Sequence, residues 1–189
     1  MFKQIITAAL AIVTTAVVGG QAVHADVTSD TAATTKGSIT LTTGGAITLN
    51  QAPDLDFGQK PISTTATTYT TKGSAPIQVT NPGFTSGWSV SVAASKFTTG
   101  KYDLKGAELT VNVKNIAAAD GSNTSASPDA PHNAIEPGGS AVNVFSAATD
   151  AGVGVWNNSW DTVILAVPAG NVAGDYKSEL TWTLSDAPQ

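Results

Sequence analysis

The chain has 189 residues, enough for one hydrophobic core, and no cysteine, so no disulfide can supply stability that the core does not. Charged residues make up 12%, arginine is absent and the net charge is −5, a balance that argues against nucleic acid, whose phosphates need a clustered basic surface. His24 and His132 are the two histidines, which excludes a multi-histidine zinc site and leaves little for a Ser-His-Asp or Cys-His nucleophile; no metal or cofactor is expected.

Residues 1–25 have the pattern of an export signal. Lys3 gives a basic start, Ile5 to Gly19 is an apolar run, and Gln21-Ala-Val-His-Ala25 offers Val23 and Ala25 to a signal peptidase, which predicts cleavage after Ala25. The run is shorter than the roughly 20 residues of a spanning helix, so no membrane span is expected once the signal is removed. Removal of Lys3 makes the net charge more negative by one. Neither a lipobox cysteine nor a Leu-Pro-x-Thr-Gly sorting signal is present, so attachment to a cell is expected to be non-covalent. Residues 26–36, rich in Thr, Ala, Ser and Asp, predict a flexible leader, and residues 37–189 a single domain.

Within that domain the signals are strands and turns. Ser38-Ile-Thr-Leu-Thr42 alternates, Gly44-Gly45 interrupts, and Ala46-Ile-Thr-Leu-Asn50 alternates again. Pro53-Asp-Leu-Asp-Phe-Gly58 predicts a turn, and Ser63 to Lys72 is a Thr-rich low-complexity stretch anchored only by Tyr69. Ala75 to Thr80 is a strand stopped by Asn81-Pro82-Gly83. Gly87-Trp-Ser-Val-Ser-Val92 sets Trp88, Val90 and Val92 on one face, and Glu108 to Val113 does the same with Leu109, Val111 and Val113. Ala117 to Gly139 predicts a long aperiodic loop, read as a solvated excursion or as a partner-contact loop. Ser140–Phe145 and Thr162–Val167 are further strands, the second apolar enough to be buried on both faces. In the last segment Tyr176, Leu180, Trp182 and Leu184 share one face. Outside the signal no useful window has a 3.6 period. The pattern predicts an all-β fold, a single antiparallel β-sandwich, Ig-like or jelly-roll-like, with long loops.

Two segments carry a specific resemblance. Gly87-Trp-Ser-Val-Ser-Val-Ala-Ala-Ser95-Lys-Phe97 with Leu104-Lys-Gly-Ala-Glu-Leu-Thr-Val111 resembles the first half of the WxL domain of Gram-positive bacteria. Gly174-Asp-Tyr176-Lys-Ser-Glu-Leu-Thr-Trp182-Thr-Leu184-Ser-Asp-Ala-Pro188 resembles the second. The motif residues are Trp88, Ser89 and Val90, where the first motif has valine in place of leucine, and Trp182, Thr183 and Leu184. The resemblance implies a secreted, non-catalytic protein held on the cell surface by non-covalent binding to peptidoglycan of the cell wall. It also implies partners among other surface proteins, both WxL-interacting proteins and longer WxL proteins. The alternative is a structural subunit held there through a WxL-interacting partner instead of by direct wall binding.

Strand geometry gives the motifs a second meaning. Residues i and i+2 point the same way, so Trp88 with Val90 and Trp182 with Leu184 are apolar pairs expected in the core, with mainly structural roles. Trp156, Asn157, Asn158 and Trp160, in an expected Asn-rich turn, are better placed for ligand contact, the rings stacking on sugars and the amides bonding hydroxyls. The competing expectation is that one or both rings fold back over the sandwich end. A carboxylate glycosidase would need two acids across a cleft; Asp54 and Asp56 instead flank one residue of a turn, and they are too few for calcium. Asp120-Gly-Ser-Asn123 predicts an Asx turn. Because walls are usually anionic, a chain of this charge is expected to be held by short-range contacts, and more tightly near pH 5 than pH 7.

Overall fold

The computed structural model describes residues 26–29 and 32–186; the signal and its cleavage site lie outside them. The chain divides into one unit ending at Leu41 and another starting at Thr42. In the first, β1 (Asp26–Ser29) and β2 (Ala32–Thr34) pair antiparallel within the segment expected as a leader. The strand expected at Ser38–Thr42 does not form. Ile39 and Leu41 are 82% and 84% exposed, because alternation makes a segment fit for a sheet but supplies no neighbour to hydrogen-bond it.

The second unit is built from strands, and no described residue is helical. They are β3 (Thr48–Gln51), β4 (Thr67–Thr71), β5 (Ile77–Asn81), β6 (Trp88–Ala94), β7 (Glu108–Ala118), β8 (Ala134–Ile135), β9 (Val142–Ala147), β10 (Gly154–Val167) and β11 (Leu180–Ser185). The larger sheet has the order β3-β5-β10-β7-β8, with β4 also on β10; the smaller is β11-β6-β9. All pairings between these strands are antiparallel.

The long β10 curls the larger sheet. On one edge its first half pairs β5, from Gly154 to Asn158, and its second half pairs β4, from Val163 to Val167. On the other edge β7 follows it throughout, with register shifts around Trp160 where a bulge bends the strand. The two sheets meet through Trp160 of β10, whose ring lies 5.6 Å from that of Trp182 in β11. They are also tied by Asn158 of β10, whose Nδ2 donates to the Val144 carbonyl of β9 at 3.1 Å. Between them lies one core, with Ile77 and Val79, Trp88, Val90 and Val92, Leu109 and Val111, Phe145, Val163 and Leu165.

Three strand expectations change. β4 forms inside the Thr-rich stretch, where Tyr69 and the half-buried Thr67 and Thr71 supply an inward face that a run of threonines hides in the sequence. β10 begins at Gly154, well before the expected Thr162, and absorbs the presumed Asn-rich turn. Its C-terminal half buries Val163 and Leu165 fully, while Ile164 and Ala166 stay half-buried on the other face.

The expected loop from Ala117 is shortened by β7, which runs to Ala118, and is interrupted by β8. Its remainder is tied down. The Asp129 and Ser146 amides and carbonyls bond reciprocally at 2.7 and 2.9 Å, Gly152 N donates to Ala126 O at 2.9 Å, and Val153 N to Ser125 Oγ at 3.0 Å. At its start, Asp120 Oδ1 accepts from Ser122 N at 2.9 Å and Ser122 Oγ at 2.8 Å, the expected Asx turn. Those bonds, the backbone one first, hold the Asp120 carboxyl below its ordinary pKa.

Candidate functional site

The two tryptophan motifs, far apart in sequence, become neighbours in one sheet. β6 and β11 pair so that Trp182 lies opposite Val92 and Leu184 opposite Val90. Trp88, at the start of the central strand β6, has no exposed surface. Its Nε1 donates to the Gly152 carbonyl at 3.1 Å, and its ring meets that of Phe145 edge-on at 4.9 Å. Ala147, opposite it on β9, and Gly152 are the small residues that make room. Gly87, just before it, has φ +76°, and a Cβ there would stand 2.6 Å from the Ala147 carbonyl oxygen, so the motif's glycine is needed for both conformation and space. Ser89 is buried, Val90 is in the core, Trp182 and Leu184 are half-buried, and Thr183 is exposed.

The four residues singled out as ligand contacts are placed differently. Trp156 and Trp160 lie inside β10 and are each 5% exposed, too enclosed to offer a ring face to a sugar. Trp156 Nε1 donates to the Val153 carbonyl at 2.9 Å, an oxygen that also accepts from Asn123 Nδ2 at 2.9 Å. Trp160 is the inter-sheet ring already described. Asn158 is fully buried as the tie to Val144, and only Asn157 points to the outer face, its Oδ1 accepting from Gln78 Nε2 at 2.9 Å. The turn expectation failed because asparagines ordinarily signal turns, whereas here alternation with inward tryptophans makes them part of a strand.

A concave surface lies elsewhere, at the end of the larger sheet where β4 and the end of β10 stop. A groove of about 1090 Å3 runs between residues 55–69 and 171–178. Phe97, Leu104, Leu165 and Val167 contribute apolar lining; Lys60, Lys177, Asp56 and Asp175 bring charge of both signs. Its walls are hydrogen-bonded into shape. Tyr69 Oη donates to the Pro61 carbonyl at 3.0 Å and Tyr176 Oη to that of Val172 at 2.9 Å, so each tyrosine fastens one wall. Asn171 bridges the base, accepting from Lys105 N at 2.8 Å and donating to the carbonyls of Lys105 and Pro168 at 3.1 and 3.0 Å.

Ile62 and Val172 stand on this groove 52% and 46% exposed. Lys177 and Asp175 face each other at 3.3 Å in full solvent, an arrangement worth little as a salt bridge but able to exchange partners for a polar ligand. Asp56, once weighed as half of an acid pair, accepts from Gly58 N at 2.7 Å and so caps a turn. The groove thus has an apolar lining beneath a mixed polar rim. Sequence reading takes Tyr69 as a lone anchor and Tyr176 as an inward residue of the last strand, whereas β11 begins only at Leu180 and Tyr176 fastens a groove wall, which lies about a hundred residues from the other wall.

Comparison with known proteins agrees with the motifs. The family model of the WxL domain, described as a surface, cell wall-binding domain, matches residues 23–188. No curated protein and no solved structure matches the chain. With both tryptophan motifs side by side in one sheet and the family match covering nearly the whole sequence, the chain belongs to the WxL family of surface, cell wall-binding domains.

Proposed function

We propose that the protein is secreted, non-catalytic, and held non-covalently on the cell wall with peptidoglycan as its ligand, the groove between residues 55–69 and 171–178 making the contact. The observation that carries this reading is the family match over residues 23–188, taken with the burial of the motif tryptophan Trp88 and of Trp156 and Trp160. If those rings build the sandwich, recognition falls to the surface, and the groove is where apolar and polar groups converge. Assembly with other surface proteins, of the WxL-interacting kind and longer WxL proteins, belongs to the same reading. No nucleic acid, metal or cofactor takes part.

The test is retention on purified sacculi before and after protein stripping, comparing the wild type with Ile62→Asp/Val172→Asp. Both positions are exposed, so melting should be unchanged while retention on stripped sacculi falls about tenfold, equivalent to about 1.4 kcal/mol. Unaltered retention by the variant would remove the groove from the reading. Loss of wild-type retention on stripping would favour attachment through a WxL-interacting partner, and clearing of a wall suspension would show the protein to be an enzyme.

A further inference from the structure

Among the described residues of the second unit, the large apolar side chains left exposed are Ile62, Tyr102 and Val172. All three gather at the end that holds the groove. Ile62 and Val172 stand on the groove itself, and Tyr102 stands on a smaller depression of about 610 Å3 that adjoins it across residues 173–177. Those residues form a ridge between two concave surfaces. Apolar exposure concentrated in this way marks a contact surface.

Both walls of the depression are held in place by the fold. Opposite the ridge, Thr98 Oγ1 accepts from the Gly100 amide at 3.0 Å, and Thr99 Oγ1 accepts from those of Lys101 and Tyr102 at 3.3 and 3.0 Å. Gly100 takes φ +86°, which this tight loop needs. Loop and ridge are joined by the Thr98 and Lys177 amides and carbonyls, which bond reciprocally at 2.9 Å. At Gly174 they come so close that a Cβ would stand 2.6 Å from the Thr99 Cγ2. The tip of the loop carries Lys101 and Tyr102, with the Lys101 ammonium 5.0 Å from the centre of the Tyr102 ring.

Charge sets Lys101 apart from the lysines around it. Lys96 pairs with Asp103 at 3.8 Å and Lys177 with Asp175 at 3.3 Å, whereas Lys101 faces no carboxylate among the described residues. In a chain of net charge −5, an unpaired ammonium beside an exposed ring on a concave surface is complementary to a single anion carried on an apolar body. We propose that this depression is a second subsite, for a carboxylate of the peptide stems of peptidoglycan, with Lys101 pairing the carboxylate and Tyr102 covering the alkyl group next to it. The assignment rests on peptidoglycan being the ligand and adds which part of it is held here: the peptide, not the glycan.

The lone ammonium also decides between anions. A polyphosphate chain presents one charge after another, and along the ridge the next would meet Asp175, or Asp56 in the adjoining groove. A peptide stem presents isolated carboxylates on small aliphatic residues, which is what one cation and one ring accommodate.

The test is a titration of the isotope-labelled full chain, followed by backbone amide chemical shifts. The probe is a soluble synthetic stem peptide ending in D-alanine, offered with a terminal carboxylate or a terminal carboxamide. The carboxylate form should shift the signals of Lys101, Tyr102 and Gly174, and the carboxamide form should bind about tenfold more weakly, equivalent to about 1.4 kcal/mol. Lys101→Ala should lose about tenfold toward the carboxylate form and bind both forms alike, and Tyr102→Ala should weaken both, with melting unchanged because both side chains are exposed. Equal affinity of the wild type for the two forms, undiminished binding by Lys101→Ala, or displacement of the peptide by a lower concentration of a glycerol phosphate oligomer would each overturn the proposal. Retention on stripped sacculi separates this from the groove. A wild type that is retained but ignores the peptide overturns the subsite and leaves wall binding by the groove in force; one that is neither retained nor shifted overturns both.

Discussion

The two tryptophans that mark the family occupy opposite situations in the same sheet. Trp88 begins the central strand β6, enclosed on every side, its Nε1 bonded to the Gly152 carbonyl and its ring against Phe145. Trp182 sits in the outer strand β11, half-buried, with Trp160 across the sheets as its aromatic neighbour. Similar spacing in the sequence therefore yields a core pillar in one motif and an edge in the other. A motif defined by residue type does not say how much free energy each copy carries; position in the sheet decides that.

Removing the pillar should have the largest effect. Trp88→Ala takes away a fully buried indole and leaves the Gly152 carbonyl without its donor, at about 3–5 kcal/mol, a large share of the 5–15 kcal/mol typical of a domain. In a domain of this size that corresponds to a melting temperature lower by roughly 6–20 °C, read by circular dichroism or calorimetry. Wall retention should fall in step with the folded fraction. A variant that melts like the wild type would show that the surroundings collapse onto the vacated space and that Trp88 is not the pillar its burial indicates.

The next prediction tests the surroundings of the same ring. Gly152 has φ +66°, and a Cβ there would stand 2.8 Å from Trp88 Nε1 and closer still to the Ala147 side chain. Gly152→Ala combines left-handed strain with overpacking and should cost about 2–4 kcal/mol. Gly170 has a similar φ of +87° but open space, so Gly170→Ala should cost about 1–2 kcal/mol, from backbone strain alone. Equal melting of the two variants would mean that crowding around Trp88 contributes nothing.

The contrast between these regions also shows where the sequence was informative. β5, β6, β7 and β11 were legible because each alternates a large inward residue with Ser, Thr, Gln or Asn, and one buried face is what a period of two reports. Trp88 and Val90 could be assigned to the core on that basis alone. Two kinds of feature escaped. Trp156 and Trp160 escape because Asn157 and Asn158 carry a local turn signal stronger than the alternation around them, and Ser38–Leu41 has the alternation but no paired strand among the described residues. The groove was invisible because its walls at 55–69 and 171–178 meet only after β4 and β10 pair, a long-range event that no window of sequence contains.

At the small end of this series, beside Gly170→Ala, lies the edge. Trp182→Ala removes one partner of an inter-sheet ring pair, itself worth about 0.5–1.5 kcal/mol, together with part of a side chain that solvent already reaches, for about 1–2 kcal/mol in total. Far-ultraviolet circular dichroism should be unchanged, because β11 keeps its backbone pairing from Leu180 to Ser185 with β6. The informative measurement is retention on sacculi at a temperature where wild type and variant are both folded. If the motif is structural, retention is then preserved, and the second tryptophan serves to close the sandwich against Trp160. If retention disappears while melting and circular dichroism match the wild type, the half-exposed indole is itself a contact, and the difference between the motifs becomes one of role, with Trp88 holding the fold and Trp182 meeting the wall.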